Sequence, residues 1–314
     1  MNMFHTGDVL EILRSLPNES VHCCVTSPPY FGLRDYGVIG QIGVEQTPEE
    51  YVNKLVNVFR EVKRVLRDDG TLWLNLGDSY VPGGGDYKEG AQGSNSKIGE
   101  SLFKSIPGCG RTQRKEALER QGLRPKNLIG IPWRVAFALQ ADGWYLRSDI
   151  IWEKPNAMPE SVRDRPTRSH EYIFLLSKSK KYYYDKGAIL EPYVSIPTQT
   201  KRDKYAEGYQ ADYTKGNRFS AGARDYYANG GRNKRTVWSV STKPFKGAHF
   251  AVFPPGLIKP CILAGCPAGG KVLDPFGGSG TVATVASELG RDSIYIDLNS
   301  EYTEMAKERA STLF

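Results

Sequence analysis

Asp274-Pro275-Phe276-Gly277-Gly278-Ser279-Gly280-Thr281 is the stretch that decides the fold of this chain. A short apolar run leads into it, and a helical pattern follows it. This order predicts a buried strand, a tight glycine loop and a helix whose N-terminal N–H groups face a ligand. A second apolar run ends at Asp297, 23 residues after Asp274. In dinucleotide-binding folds, an acid about 20 residues on binds ribose hydroxyls. The unit therefore predicts a cofactor that carries adenosine.

The loop also indicates which cofactor is expected. It does not read G-x-G-x-x-G, and no lysine follows Gly280, so it is not a Walker loop. Asp274 would repel a pyrophosphate and would suit a cationic group, such as the amine of a methionine moiety. The residues favour S-adenosylmethionine over NAD or a nucleoside triphosphate. A plain strand-to-helix turn that binds nothing stays open as the alternative.

A second loop, Thr26-Ser27-Pro28-Pro29-Tyr30, follows the apolar run Val21–Val25. That run predicts a buried strand of a parallel sheet. The two prolines end the strand because neither can donate a ladder hydrogen bond. Ligands bind at the carboxyl ends of strands in open α/β sheets. The loop is thus a candidate site, and an ordinary exit from a strand is the alternative.

The composition restricts the class of protein. Of the 314 residues, 39% are hydrophobic and 25% are charged, which fits a soluble globular protein. No run approaches the ~20 apolar residues of a membrane span, and the start shows no secretory signal. Five cysteines at irregular spacings favour reduced thiols in a cytoplasm, and their spacing argues against a zinc site. We therefore expect a cytoplasmic protein without a bound metal.

The positive charge is concentrated in one part of the chain. Residues 177–250 contain 15 Lys and Arg against six Asp and Glu, so they carry +9, and the remainder carries −2 of the net +7. Tyrosines are interleaved with these basic residues. The pattern predicts an inserted, loop-rich region that binds a polyanion such as a nucleic acid. A solvated face with tyrosines in the core is the alternative.

Local patterns predict several further elements. Thr47-Pro48-Glu49-Glu50 is a capping box that starts a helix, and residues 68–70 end that helix. Residues 81–127 predict a long mobile loop with a short helix near 115–121. Other predicted elements are the strand 71–75, the helix 131–141, an edge pair of strands at 145–152 and 171–176, the helix 281–289, the strand 293–297, and the helix 300–311 with Ser300 as its N-cap.

Together the two loops closely resemble those of the DNA amino-methyltransferases of the β arrangement, and the resemblance covers nearly the whole chain. In that family the catalytic loop precedes the target-recognition region, and the cofactor loop comes last. The resemblance implies an α/β fold with a doubly wound mixed sheet, which is the Rossmann-like methyltransferase fold in permuted order. It implies a catalytic part at 1–176, an inserted target-recognition region at 177–248, and a cofactor-binding part at 249–314.

The resemblance also implies roles for individual residues. Ser27 and the Pro28 carbonyl would accept hydrogen bonds from a target amino group, and Tyr30 would stack on the base. Asp8 lies in the segment expected at the cofactor adenine, and Phe253 in the segment expected at the methionine end. The predicted cofactor-binding residues are Asp8, Thr26, Phe253, Asp274, Pro275, Phe276, Gly277, Gly278, Ser279, Gly280, Thr281, Asp297 and Leu298. Independently of the resemblance, the surrounding sequence favours structural roles for Cys261, His249 and the pair His170-Glu171, and a catalytic role is the alternative.

The predicted reaction is transfer of a methyl group from S-adenosylmethionine to cytosine N4 at a specific site in double-stranded DNA. Ser27 supports cytosine, because members of the family with Asp or Asn at that position mostly methylate adenine N6. The alternatives are adenine N6 methylation, a non-catalytic nucleic-acid binder with the same fold, and a dinucleotide oxidoreductase. The sequence leaves open a cognate restriction endonuclease as a partner, and whether the protein is a monomer or a homodimer.

Overall fold

The computed structural model describes residues 2–33, 37–81, 111–192, 231–242 and 253–311. Within them, eight strands form one sheet in the order β1-β8-β7-β2-β3-β5-β4-β6. The strands are β1 Asn2–Thr6, β2 Val21–Thr26, β3 Leu66–Leu76, β4 Tyr145–Glu153, β5 His170–Ser177, β6 Val237–Ser239, β7 Lys271–Asp274 and β8 Asp292–Asp297.

The sheet is mixed, as predicted. Strands β1, β8, β7, β2 and β3 pair in parallel, and of the described strands β5 alone runs the other way. The neighbours β2 and β7 are far apart in sequence, yet Cys24 pairs with Leu273. Their carboxyl ends therefore meet at one edge of the sheet. The two loops that the sequence singled out leave the sheet there.

Three helices cover one face of the sheet: α1 Val9–Ser15, α2 Pro48–Val65 and α4 Ile131–Ala141. Helix α3, Arg111–Arg120, precedes α4 in the chain. Leu72, Leu74 and Leu76 alternate along β3 and belong to the same buried core as Leu55 and Phe59 of α2. Since side chains two residues apart share a face of a strand, this core lies on one side of β3.

The other face of β3 packs against α5, Pro255–Gly265, which is followed by α6, Thr281–Glu288, and α7, Ser300–Ser311. Gly265 lets α5 approach closely, because a Cβ there would lie 2.5 Å from Trp73 Nε1 and 2.7 Å from Thr71 Oγ1. Thr71 and Trp73 point away from the leucine face of β3. Helices thus cover both faces, and the predicted doubly wound fold is confirmed.

Most predicted elements are present, including the helix at 131–141. The capping box is also confirmed, since Thr47 Oγ1 accepts from the Glu50 amide and the Glu50 carboxylate accepts from the Thr47 amide. Three details were wrong. The boundary between α2 and β3 was misplaced: the helix ends at Val65 rather than at residues 68–70, and the strand begins at Leu66 rather than at residue 71, because Leu66 pairs with Val21. Strand β4 is not at the edge, since β6 pairs beside it.

The third error concerns the start of α7. Ser300 is the first residue of that helix rather than its cap. The side chain of Asn299 instead accepts a hydrogen bond from the Glu301 amide at 2.8 Å. Asn299 is therefore the N-cap, since its side-chain oxygen satisfies an amide that has no partner within the helix. Helix α5 was not predicted at all.

The chain divides into two compact units, Met1–Tyr183 with Thr236–Phe314, and Tyr184–Arg235. In the smaller unit, Glu191 and Arg232 form an isolated bridge, and the Glu191 carboxylate also contacts Lys234 and Arg235. The recognition region predicted at 177–248 overlaps this unit, and residues 193–230 and 243–250 lie outside the described ones. So do residues 82–110 of the predicted loop. None of the described helices is both long and apolar enough to span a membrane.

Candidate active site

A cavity of about 850 Å³ lies at the end of the sheet that is formed by the carboxyl ends of the parallel strands. Residues after β1, β2, β3, β7 and β8 line it, together with the beginning of β5. The structure thus brings both predicted loops to one cavity at the expected place in an open α/β sheet. Predicted site residues that line it are Asp8, Ser27, Pro28, Tyr30, Phe253, Pro275, Phe276, Gly277, Gly278, Ser279, Thr281, Asp297 and Leu298.

Thr26 and Asp274 are not among the lining residues. The Thr26 hydroxyl donates to Asp274 Oδ1 at 2.7 Å, and the Phe276 amide donates to the same oxygen at 3.2 Å. Both side chains are almost fully buried. The bond joins the carboxyl end of β2 to that of β7. It therefore fixes the position of one loop relative to the other.

Burial dominates the electrostatics of Asp274. The pKa of Asp274 is raised to about 7, mainly by desolvation and to a smaller extent by the charge of Asp297, while the hydrogen bonds from Thr26 and from the Phe276 amide oppose the shift. A carboxylate in a low-dielectric interior is costly because it loses its hydration. Burial thus favours the neutral form of Asp274.

The glycine loop is shaped by contacts within the protein. A Cβ at Gly277 would lie 2.1 Å from the ring of Tyr295, and one at Gly280 would lie 2.6 Å from the Cβ of Ala306. Gly280 does not line the cavity and has φ +75°. The Tyr295 hydroxyl donates to the Gly278 carbonyl at 2.7 Å. These glycines are required by close packing inside the protein as well as by a turn that faces the cavity.

Asp297 ends β8 and lines the cavity. Its Oδ2 accepts from the Gly278 amide and its Oδ1 from the Asn299 amide, both at 2.8 Å. Burial raises the pKa of Asp297, and these backbone hydrogen bonds oppose the shift. A carboxylate has about four acceptor positions, so Asp297 keeps capacity for hydroxyl groups of a ligand.

Asp8 is the N-cap of α1, a structural role that the sequence analysis did not predict. Its Oδ1 accepts from the amides of Leu10 and Glu11, at 2.9 and 3.1 Å, so it caps α1. The Gly7 amide donates to the Asp297 carbonyl at 2.9 Å, which holds the ends of β1 and β8 together. Asp8 therefore lines the cavity in a fixed orientation.

The loop at residues 26–30 presents acceptors to the cavity. Ser27 and Pro28 both line it. The Tyr51 hydroxyl donates to the neighbouring Pro29 carbonyl at 2.8 Å and secures the loop from behind. In the described part of the chain, no hydrogen bond reaches the Pro28 carbonyl. Because Pro28 lines the cavity, its carbonyl is a candidate acceptor there.

Tyr30 belongs to a polar cluster that sequence reasoning did not foresee. Its hydroxyl donates to Glu171 Oε2 at 2.6 Å and lies 3.1 Å from Asn75 Oδ1. Glu171 Oε1 forms an ion pair with Lys154. Burial and the charge of Glu171 raise the pKa of Tyr30. No pattern in the sequence connects Glu171 to a tyrosine 141 positions earlier.

Gly77 positions the Tyr30 ring. A Cβ at Gly77 would lie 2.4 Å from Tyr30 Cε2, so only glycine leaves room for the ring. The next residue, Asp78, accepts hydrogen bonds from the amides of Gly130 and Ile131 at 3.0 Å and so holds the start of α4. The end of β3 is thereby fixed to its surroundings.

Two other residues considered as candidates in the sequence, Cys261 and His249, lie away from the cavity or outside the described part of the chain. Cys261 is buried in α5, as expected for a core cysteine. His249 lies outside the described residues, as do residues 250–252 of the segment predicted at the methionine end. Among the described residues, no group of three or more His, Cys, Asp and Glu side chains is arranged to hold a metal ion.

The sheet order, the glycine loop after β7 and the Ser-Pro-Pro-Tyr loop after β2 are those of a Rossmann-like methyltransferase fold. A family model described as DNA methylase, of the N6 and N4 type, matches residues 21–308, and the chain belongs to that family. The protein is therefore a DNA methyltransferase.

A curated relative agrees with this assignment, and two solved structures share the fold. The chain is 50% identical over 303 residues to the type II methyltransferase M.SmaI of Serratia marcescens, covering 96% of this chain and 88% of that protein. The fold resembles that of PvuII DNA methyltransferase, described as cytosine-N4-specific, with a TM-score of 0.60, 19% identity and coverage of 97% and 84%. It also resembles a putative DNA modification methylase of Thermus thermophilus, TTHA0409, complexed with S-adenosyl-L-methionine, with a TM-score of 0.58, 23% identity and coverage of 99% and 94%.

Proposed function

We propose that this protein transfers a methyl group from S-adenosylmethionine to the exocyclic N4 of a flipped-out cytosine at a specific site in double-stranded DNA. One observation carries the proposal. The acceptor-bearing Ser27-Pro28 loop and the glycine loop line a single cavity, and the hydrogen bond from Thr26 to Asp274 ties them together. An amino group held at the first loop would thus lie beside a cofactor held at the second.

Ser27 and Pro28 would activate the amino group. The lone pair of an exocyclic amine is delocalised into the base, so the amine is a poor nucleophile. Hydrogen bonds from its two N–H groups to Ser27 Oγ and to the Pro28 carbonyl would draw the nitrogen towards tetrahedral geometry. Holding both reactants in near-attack geometry can supply about 7–11 kcal/mol of the barrier in favourable cases.

The cofactor supplies the methyl group as a sulfonium. Asp297 suits its ribose hydroxyls, because the carboxylate lines the cavity and keeps free acceptor capacity. Asp8 and Leu298 would lie near its adenosine, and Phe253 and the loop at 275–281 near its methionine part. The complex of TTHA0409 with S-adenosyl-L-methionine supports this choice of cofactor.

Tyr30 offers a ring face to the target base. Flipping a base out of a duplex costs a few kcal/mol. Stacking on an aromatic side chain is worth about 1–3 kcal/mol per base, so it would offset part of that cost. The hydroxyl contact with Glu171 and the close packing on Gly77 hold the ring in place.

Cytosine is the proposed base because Ser27 occupies the position where adenine-specific members of the family mostly carry Asp or Asn. The cytosine-N4-specific description of the PvuII enzyme supports the same choice. Adenine N6 methylation by the same site is the second candidate. The basic segment 177–250 would bind the DNA target, and the type II relatives suggest a cognate restriction endonuclease as a partner.

Single-molecule sequencing of DNA from cells with and without the gene tests this proposal. The expected result is N4-methylcytosine at one short sequence, present only with the gene. The same experiment with Ser27→Ala should show loss of the modification, while purified Ser27→Ala still binds the cofactor in calorimetry. Unmodified DNA in cells that produce the intact protein would contradict the proposal.

A further inference from the structure

A chain of polar contacts leads away from the acceptor loop and ends at the carboxylate of Glu171. The Ser27 hydroxyl donates to the Tyr30 hydroxyl at 3.5 Å, and the Tyr30 hydroxyl donates to Glu171 Oε2 at 2.6 Å. Each hydrogen bond points from the cavity wall towards the carboxylate. The first distance is long, but such contacts commonly shorten when substrate binds.

Methylation of an amine leaves a proton that has to go somewhere. When the N–CH₃ bond forms and the S–CH₃ bond breaks, the nitrogen carries a positive charge. The neutral product appears only when this nitrogen loses one N–H proton. Ser27 Oγ, which accepts a hydrogen bond from that amino group under the proposed function, is the first atom that can take it.

We propose that Ser27, Tyr30 and Glu171 form a proton relay that removes this proton. The amino nitrogen gives its proton to Ser27 Oγ, the Ser27 proton moves to Tyr30 Oη, and the Tyr30 proton moves to Glu171 Oε2. Glu171 ends neutral and Ser27 and Tyr30 end unchanged, so the charges balance. The relay rests on the proposed function, because it needs an amino group at Ser27.

The surroundings of Glu171 suit an acceptor that stays in place. Lys154 holds Oε1, and the Asn75 amide reaches Oε2 at 3.3 Å, so the carboxylate is fixed without losing its contact with Tyr30. Lys154 Nζ also lies 4.3 Å from the centre of the Trp152 ring. The neighbouring His170 packs its ring edge-on against Tyr172.

Tyr30 suits the middle position of the relay. Burial and Glu171 raise its pKa, so the hydroxyl keeps a proton at all times and gives one away only as it receives another. The carboxylate at the end of the chain has to be ionised before each turnover. The relay therefore predicts that methyl transfer is slower in D₂O than in H₂O, because each step of the relay moves a proton.

Glu171→Gln separates the relay from a structural role. Glutamine keeps an oxygen that accepts from Tyr30, but it cannot take up the proton. We expect the single-turnover rate on duplex DNA to fall by about 100-fold or more, because proton transfer to a positioned group typically contributes about 100-fold to 10,000-fold. We also expect the difference between the rates in H₂O and D₂O to become smaller, because the relay no longer carries the proton. Tyr30→Phe should give the same two effects.

Glu153→Gln is the matched control, because Glu153 is exposed at the end of β4 and does not line the cavity. Cofactor affinity of each variant, measured by calorimetry, reports whether the site has folded. If Glu171→Gln fails to bind cofactor, Tyr30→Phe decides the question. An unchanged rate, or a slower rate with the same difference between H₂O and D₂O as in the unaltered protein, would overturn the relay. Failure of the unaltered protein to methylate DNA would instead overturn the proposed function.

Discussion

Replacing Asp274 by Asn should stabilise the cofactor-free protein in neutral and alkaline solution, although it removes a hydrogen-bonded carboxylate. Asp274 is 2% exposed, and its pKa is raised from 3.8 to about 7. Both hydrogen bonds from the protein reach Oδ1, and an asparagine Oδ1 can accept them equally well. The substitution thus removes the ionisation and keeps the contacts.

The direction of this pH dependence follows from the coupling between proton binding and folding. A raised pKa means that the folded state binds the proton more tightly than the unfolded state does. The contribution of Asp274 to stability is complete below about pH 4 and is lost as the pH rises towards about 7. At about 1.4 kcal/mol per pKa unit, the loss is about 2 kcal/mol at pH 5 and about 4 kcal/mol at pH 8.

Urea unfolding of both proteins at pH 5 and at pH 8 measures this effect. The gain in the free energy of unfolding from Asp274→Asn should be larger at pH 8 by about 2–3 kcal/mol. The exposed Asp149 provides a control, and Asp149→Asn should change little at either pH. If Asp274→Asn changes the free energy of unfolding by the same amount at pH 5 and at pH 8, the argument is refuted. Burial would then not raise the pKa of the Asp274 carboxyl.

Further substitutions test the other contacts. Gly277→Ala should lower the free energy of unfolding by about 1–3 kcal/mol in urea titrations, because its Cβ would meet the Tyr295 ring, whereas Gly256→Ala has only a contact of 3.8 Å and should not destabilise. Gly77→Ala should slow methyl transfer by displacing Tyr30 while leaving cofactor affinity intact, and weakened cofactor binding would count against that assignment. Asp297→Ala should weaken cofactor binding in calorimetry, and Asp292→Ala, at the other end of β8, is the control. If Asp297→Ala binds the cofactor as tightly as the unaltered protein does, Asp297 is not part of the cofactor site.

The sequence predicted those features of the fold that depend on neighbouring residues. The capping box at Thr47 and Glu50 needs only four consecutive positions, and it is present. The strand, glycine loop, helix and strand at residues 270–297 are likewise local. Helix α5 was missed, because Pro260 interrupts its pattern and its residues are apolar on most sides. Such a segment shows no helical periodicity, and only its burial against Trp73 reveals its place.

Within the site, chain order and family resemblance identified the two loops but not what holds them. The bond from Thr26 to Asp274 spans 248 positions and depends on the pairing of β2 with β7. Glu171 reaches Tyr30 only because β5 is reversed and begins where the parallel strands end. Long-range contacts of this kind follow from topology, and no local pattern encodes them.

Nucleoside analysis tests the central claim most directly. Purified protein is incubated with duplex DNA and S-adenosylmethionine that carries a deuterated methyl group. The DNA is then digested, and its nucleosides are separated and weighed by mass spectrometry. The account predicts deuterium-labelled N4-methyldeoxycytidine, and none with Ser27→Ala. Labelled N6-methyldeoxyadenosine in its place, or no labelled nucleoside at all, would contradict it.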